Sequence, residues 1–390
     1  MKILQVVPSY LPGVRYGGPI RSVHGLSRAL VERGHEVSVF TTDRDEGERL
    51  DVPLGRPVEI DGVRVRYFEV RGPTRLRWSP PMGRALRQEI ESFDLVHTHG
   101  LFHWPGTAAA RVARQSGTPY VIAPRGMLIR DMLLRRGKHR KRAWLGLIER
   151  ENLEGAAALH LTAELEREQL PDLGYPLPAS FVLENGVEPL TAPDRGAVRE
   201  DVASLIDSPR RLVLFLGRLN WKKGLDRLVA SVPAWPDDVH LVIAGPDDGA
   251  EAGLRRLLAR LGLAGRVTLT GAVSGDTRAA LLTSAELLVL PSYSENFGNV
   301  VLEAWSAGTA TAVTPEVGAA ALVAEVGAGA VVDGGQLARD LTDLLGRPGL
   351  LESMGLAGKR AASERYSWRA IAERAEGEFK SLAGRLRAAV

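Results

Sequence analysis

The sequence predicts an α/β protein built from two doubly wound domains that face each other across a cleft. Three observations carry this. Short apolar runs alternate with segments of helical spacing in both halves of the chain, the pattern of parallel sheets covered by helices. A turn-rich break, Glu184-Asn185-Gly186-Val187-Glu188-Pro189, and a Pro-, Asp- and Arg-rich stretch to Arg211 separate the halves. The length, 390 residues, exceeds what one ordinary core accommodates.

Composition narrows the class. The chain is 45% hydrophobic and 25% charged, with a net charge of +3, the profile of a soluble globular protein rather than a nucleic-acid binder. Its lack of cysteine excludes disulfides and thiolate metal sites. The opening Met1-Lys2-Ile3-Leu4-Gln5-Val6-Val7 is cut by Pro8 and reads as a first buried strand, too short for the apolar core of a signal peptide. No run reaches the length of a membrane span. The expectation is a cytoplasmic protein, soluble or peripheral at the inner face of the membrane.

In the first half, residues 3–7 form a strand. Pro8–Gly13 and Tyr16-Gly17-Gly18-Pro19 make a glycine turn, and apolar spacing through Val23, Leu26, Leu30 and Val31 makes a helix with Pro19 at its start. These glycines suit close approach of an anion, and equally an ordinary tight turn; Gly-x-Gly-x-x-Gly is absent. Strands follow at 36–41 and 63–70, a Pro/Arg-rich loop to Pro81, a helix at 82–92 and a strand at 94–98. His97 lies inside that strand and reads as a core or supporting histidine. His99 sits just past its carboxyl end, the edge at which open α/β sheets bind ligands. Leu101–Trp104 offers aromatics for a pocket mouth or for the core. Strands at 120–123, 157–162 and 180–183 complete the half. Between them Arg130–Arg142 holds seven Lys/Arg against one Asp. It is a solvated face, or a patch for an anionic membrane or a phosphate-bearing acceptor. Met132, Leu133, Trp144, Leu145 and Ile148 hint at an amphipathic helix there.

The second half repeats the alternation. Strands are expected at 212–217, 239–244, 267–270, 287–290, 310–313 and 329–332. Helices are expected at 223–232, 254–261, 277–285 and 300–307, and from Gln336 onward. The strand at 212–217 ends in Gly217-Arg218-Leu219, then Asn220-Trp221-Lys222-Lys223-Gly224, so an Arg and a Lys stand where a strand becomes a helix. A departing pyrophosphate gains negative charge, which two cations there would stabilise. The strand at 287–290 leads through Pro291–Asn296 into Phe297-Gly298-Asn299 and a helix stopped by Gly308. Helix amides welcome an anion, whereas the carboxylates Glu295 and Glu303 repel one, so their partners are hydroxyl groups of a sugar and a ribose. Together these features indicate a nucleotide sugar.

Gly217-Arg218-Leu219-x-x-x-Lys223-Gly224 with Glu295-x7-Glu303 resembles the retaining glycosyltransferases of family 4, of GT-B fold with two Rossmann-like domains. Gly17-Gly18-Pro19, Asp94–Gly100, Asn185-Gly186-Val187, Val242–Gly249 and Ser367-Trp368 extend the resemblance over nearly the whole chain. It implies an acceptor-side domain at 1–188, a donor domain at 189–366, and a last helix, 367–390, crossing back to the first. It also implies a hexosyltransferase using a UDP- or GDP-sugar. Arg218 and Lys223 would hold the pyrophosphate, Glu303 the ribose and Glu295 the donor sugar. Amides of Phe297, Gly298 and Asn299 would face sugar and phosphate, and Gly17 and Gly18 would approach the phosphates. The base would lie near Gly245 and Val273. His99 matches the family's active-site histidine. Arg125, His103 and Trp104 are acceptor-side candidates. Asn296 departs from a common glycine, and Thr314–Gly318 is a variant loop.

Two mechanisms are open: an enzyme nucleophile with two inversions, for which Glu295 is the carboxylate to test, or same-face attack with the departing phosphate taking the acceptor proton. Asp43-Arg44-Asp45 is an Asp-x-Asp but reads as a loop, and Asp247-Asp248 as a turn; no metal or other cofactor is expected. The expected acceptor is a glycan or lipid-linked glycan intermediate of polysaccharide synthesis, with Arg130–Arg142 touching an anionic membrane. Rival readings are a GT-B epimerase or phosphorylase, a non-catalytic sugar-nucleotide-binding subunit, and, against the missing glycine fingerprint, a nicotinamide-dependent oxidoreductase.

Overall fold

The computed structural model describes residues 1–15, 17–134 and 137–387. The chain divides into two compact units, Met1–Gly186 with Trp368–Val390, and Val187–Ser367.

The first unit holds an eight-stranded sheet in the order Ser180–Val182, Ala158–Leu161, Tyr120–Ala123, Leu95–His99, Lys2–Val6, Glu36–Thr42, Val63–Phe68 and Pro57–Ile60. Every pair is parallel except the last. The chain winds outward from Lys2–Val6 on one side, then returns to place Leu95–His99 on the other. The strand order therefore reverses between these two neighbours, and loops leaving their carboxyl ends diverge to leave a crevice. Both strands are buried throughout apart from Lys2, which is why they read as apolar runs. Leu4, Val96, Ile122 and Leu159 meet Met82, Leu86, Ala109 and Leu153 in the core beneath.

The second unit has a six-stranded, all-parallel sheet in the order Val267–Gly271, Val239–Ala244, Arg211–Leu216, Ala285–Leu290, Ala310–Val313 and Gly329–Val331. Its reversal lies between Arg211–Leu216 and Ala285–Leu290. The helix Asn299–Ala307 is seated by its buried Trp305, whose indole donates to Thr311 Oγ1 at 3.1 Å. The helix Pro348–Glu364 packs closely on it: a Cβ at Gly355 would stand 2.1 Å from the Gly308 carbonyl, and one at Gly358 2.8 Å from Trp305.

The final helix, Trp368–Arg387, packs in the first unit. Trp368 lies between Gly25 and Gly186, where a Cβ would stand 2.2 and 2.6 Å from its ring. That contact gives Gly186 and Trp368 a shared packing reason.

Several expectations need correction. No helix starts at Lys223: Trp221–Lys223 is a 3-10 turn, Gly224 is left-handed (φ 64°), and the helix is Leu225–Ser231. Within the stretch read as a linker, Glu200–Ile206 is a helix of the second unit, joined to it by Arg199 N–H donating to Thr277 Oγ1 at 3.0 Å. Asp43-Arg44-Asp45 is not a loop, since Arg44–Asp45 pairs with Glu48–Arg49 in a two-stranded ribbon. The amphipathic helix does not form as one piece: Gly137 is left-handed and separates Arg130–Leu134 from Lys138–Trp144. Leu133 and Leu145 belong to the core, while Ile148 is exposed. Arg135 and Arg136 of the basic stretch lie outside the described residues. Among the elements not anticipated are the helices Trp104–Ser116, Glu164–Glu168 and Ala320–Val326, and the strand Pro57–Ile60 that makes a hairpin with Val63–Phe68. The hairpin has a signal in the sequence, because Asp61-Gly62, both at positive φ, is a preferred two-residue turn.

Candidate active site

In the second unit, loops from the two strands that flank the reversal meet. The first, Gly217–Gly224, is folded by its own polar groups: Asn220 Oδ1 accepts from Lys222 N–H at 3.1 Å, and Leu219 N–H donates to Pro246 O at 2.9 Å. Gly245 lies against Gly217, with room for no side chain; a Cβ there would stand 1.9 Å from the Gly217 carbonyl. Arg218 points outward, its side chain 54% exposed and 3.5 Å from Asp248. Asp247 accepts from the amides of Gly249, Ala250 and Glu251, each at 3.0 Å, which makes it a helix-starting turn residue.

The second loop, Pro291–Gly298, is held at its base by Arg227. That guanidinium donates to Pro291 O and Ser292 O at 2.7 Å and stacks on Tyr293 at 4.2 Å. Glu295 N–H donates to Glu316 O, and Gly318 N–H returns to Glu295 O, both at 3.0 Å. The variant Thr314–Gly318 segment thus frames this loop, and a Cβ at Gly318 would stand 1.9 Å from the Asn296 carbonyl. Between the two loops, Lys223 Nζ and the Glu295 carboxylate form a half-buried ion pair.

Phe297 is buried, and Gly298 (φ 92°) turns the chain into the helix Asn299–Ala307. No side chain caps that start, so its positive dipole end faces the same loops as Lys223 and Glu295. Glu303 is half-buried and ion-paired with Arg278 of the helix Gly275–Ser284. Val273, half-buried, lies on the turn before that helix, and Gly245 N–H donates to Gly271 O at 2.8 Å, joining adjacent strand ends.

In the first unit, Gly17 caps the helix Gly18–Glu32 with φ 69° and ψ −127°, a conformation that requires glycine. The loop before it is tied down by Asp45, which accepts from Val14 and Arg15 N–H at 2.8 and 3.0 Å. Asp43 accepts from Val70 N–H at 2.9 Å and faces Arg49 at 3.0 Å. The Asp-x-Asp carboxylates are therefore engaged in holding backbone and neighbouring cations. Among the described residues no group of three His, Asp or Glu is arranged to hold a metal.

His99 ends its strand buried, with Nε2 2.7 Å from Gln5 Oε1 and Nδ1 3.2 Å from an Arg125 nitrogen. Arg125 adopts φ 54°, a strained value outside glycine, and its guanidinium also donates to Asn185 Oδ1 at 3.0 Å. Glu166 supports that turn by accepting from Gly126 N–H at 2.6 Å. Behind His99 lie His97, with ring centroids 4.1 Å apart, and His160, 3.0 Å from His97 Nε2. Burial, with Arg125 and the neighbouring rings, holds His97 and His99 well below the usual histidine range, and burial pushes His160 down to about 3. His103 precedes the helix Trp104–Ser116, and burial lowers its pKa too. Trp104 packs against Gly83, where a Cβ would stand 3.2 Å from its ring.

Gln5, His160, Glu166 and Arg278 belong to these constellations and were not singled out from the sequence. Gln5 and His160 do leave a trace, as lone polar residues inside apolar strands. Glu166 and Arg278 leave none, because surface helices are full of such charges.

Comparison with known proteins agrees with this division. Residues 17–186 match the model of the glycosyl transferase 4-like domain, and residues 199–361 that of the glycosyl transferases group 1. A D-inositol 3-phosphate glycosyltransferase of Xylanimonas cellulosilytica is 30% identical, over 90% of this chain and 88% of that protein. An uncharacterised glycosyltransferase of Methanocaldococcus jannaschii is 27% identical, over 97% and 98%. Among solved structures, HepE of Anabaena in complex with UDP superposes with a TM-score of 0.72 over 98% of this chain and 100% of that one; at 18% identity it speaks for the fold.

Proposed function

The chain belongs to the group 1 glycosyltransferases of GT-B fold, and from that premise we propose that it moves a hexose from a nucleoside-diphosphate sugar to an acceptor hydroxyl with retention at the anomeric carbon. The observation that carries this reading is the meeting of Lys223, Glu295 and an uncapped helix start at the reversal of the second sheet. A cation and helix amides suit a diphosphate, and a carboxylate beside them suits sugar hydroxyls.

In this reading Arg218 and Lys223 bind the diphosphate, and the amides of Phe297, Gly298 and Asn299 assist. Glu303 accepts hydrogen bonds from the ribose and Glu295 from the sugar. Gly245 and Val273 border the base. The carbon–oxygen bond to the diphosphate breaks, and a bond from the acceptor oxygen forms on the same face. The acceptor proton passes to the leaving phosphate oxygen, whose negative charge Arg218 and Lys223 stabilise. The charge comes from side chains and helix amides, without a metal. Gly17 and Gly18 approach the phosphates, and His99, Arg125, His103 and Trp104 serve the sugar and acceptor.

The acceptor in this reading is a glycan or lipid-linked glycan presented at an anionic membrane, which the basic stretch 130–142 supports. A second reading, a phosphorylated cyclitol acceptor, is favoured by the inositol phosphate in the name of the Xylanimonas relative. The test is a panel of nucleotide sugars, UDP-sugars first, read by thermal shift and then by diphosphate release. A ligand at a hundred times its dissociation constant adds about 2.7 kcal/mol. A transferase releases diphosphate in proportion to acceptor glycosylated; an epimerase converts the donor without acceptor, and a binding subunit turns over nothing.

A further inference from the structure

We infer that Gln5 and Arg125 are positioning residues that lock His99 as a neutral Nε2–H tautomer with both ring nitrogens occupied, so that His99 does not serve as the reaction's base.

The geometry settles each proton in turn. A guanidinium only donates, so His99 Nδ1, 3.2 Å from Arg125, must accept. A neutral imidazole then carries its proton on Nε2, and that N–H donates to Gln5 Oε1 at 2.7 Å. The Gln5 amide cannot be turned round, because its NH2 would face an N–H. Protonating His99 would set an Nδ1–H against the guanidinium and place two cations in contact.

The rings behind His99 are fixed in the same way. His160 Nε2 donates to Leu183 O at 2.9 Å, so its Nδ1 accepts, and His97 donates from Nε2 at 3.0 Å. His97 therefore cannot relay a proton to His99. The ionisable groups around His99 are His97 on its own strand, Arg125 from the loop after Tyr120–Ala123, and His160 on Ala158–Leu161; Glu166 faces Arg125. From the final helix, Phe379 packs edge-on against His97 at 5.4 Å and brings no charge. Three elements thus converge to hold one ring without titrating it. The left-handed Arg125 is the strained point that aims the guanidinium at Nδ1.

The inference rests on the proposed role of His99 in transfer, and its test has a part that does not. Histidine-selective nitrogen-15 spectra of the full chain should show His99 as the Nε2–H tautomer, unchanged from pH 8 to pH 5. Arg125→Met frees Nδ1, so the resonance should titrate within that range, and turnover should gain an acidic limb. Turnover in that variant should fall about tenfold to a hundredfold, with the donor KM little changed, and Arg125→Lys should restore the flat profile in part. Gln5→Glu should favour the charged ring and raise its titration point. A wild-type His99 that titrates between pH 5 and 8, or one protonated on Nδ1, overturns the inference, as does an Arg125→Met profile identical to wild type. Absence of donor binding in the thermal-shift panel overturns the proposed function and leaves the tautomer result standing.

Discussion

Lys223 and Glu295, 72 residues apart in sequence, are ion-paired across the point where the second sheet reverses direction. The pair has opposite consequences for a diphosphate: the ammonium attracts it, and the carboxylate repels it while tempering the ammonium. Lys223→Ala should therefore weaken UDP binding and lower kcat by about a hundredfold. Glu295→Gln should bind UDP as tightly as wild type or tighter, yet lose turnover, because in the proposed function its target is the sugar. Calorimetry with UDP and steady-state kinetics separate the two effects. Equal weakening of UDP binding in both variants would sink the assignment.

Much of this arrangement was legible in the sequence. Buried parallel strands announce themselves as apolar runs, and Gly217-Arg218 and Phe297-Gly298 stand at their carboxyl ends. The partners were not legible. That Lys223 meets Glu295, or Arg278 meets Glu303, depends on which strands become neighbours, and local spacing carries no information on that. The helix expected at Lys223 failed because Gly224 takes a left-handed conformation that apolar periodicity does not register. His97 did read correctly as a supporting histidine, since an imidazole inside an apolar strand has to find its partner within the protein.

Arg278 supplies a prediction that sequence spacing alone could not. Its guanidinium engages one carboxylate oxygen of Glu303, and in the proposed function the other accepts from a ribose hydroxyl. Arg278→Ala should loosen Glu303 and raise the donor KM about fivefold, the size of one hydrogen bond of about 1 kcal/mol, with kcat nearly unchanged. A 2′-deoxyribose donor should lose less from the substitution than the ribose donor. Equal losses for both donors would show that Arg278 acts on something other than ribose recognition.

The three buried histidines packed together in the first unit make its stability depend on pH. In the unfolded chain they titrate near 6.5, whereas folded His97 and His99 stay neutral well below that value and His160 does so down to about 3. Below pH 6.5 the unfolded state binds more protons, so stability is fully present above that pH and is lost as pH falls toward the folded values. Each histidine contributes a slope of roughly 1.4 kcal/mol per pH unit. Thermal melts should shift downward from pH 7.5 to pH 5. His160→Gln, which keeps a donor for Leu183 O and an acceptor for His97, should flatten the shift by one histidine's share. An undiminished slope in that variant would place the lost protons elsewhere.

The basic stretch gives the last prediction. Lys138, Arg140 and Arg142 are exposed on a short helix, and the irregular turn Leu145–Glu149 that follows presents Leu147 at 83% exposure beside Ile148. Glu149 is buried beneath, accepting from Trp144 Nε1 at 3.1 Å and Asn152 Nδ2 at 3.0 Å, so the turn is anchored while its apolar tip stands in solvent. Cations around an exposed leucine suit an anionic bilayer surface, where each Lys or Arg contributes about 1 kcal/mol within a Debye length. No helix among the described residues is long and apolar enough to cross a membrane, so the contact would be peripheral. The protein should sediment with vesicles rich in phosphatidylglycerol at low salt, and not with phosphatidylcholine vesicles. Arg140→Glu with Arg142→Glu should abolish the association, and Leu147→Ser should weaken it, while turnover on a soluble acceptor analogue is retained. Vesicle binding that survives the charge reversal would remove this surface from the account.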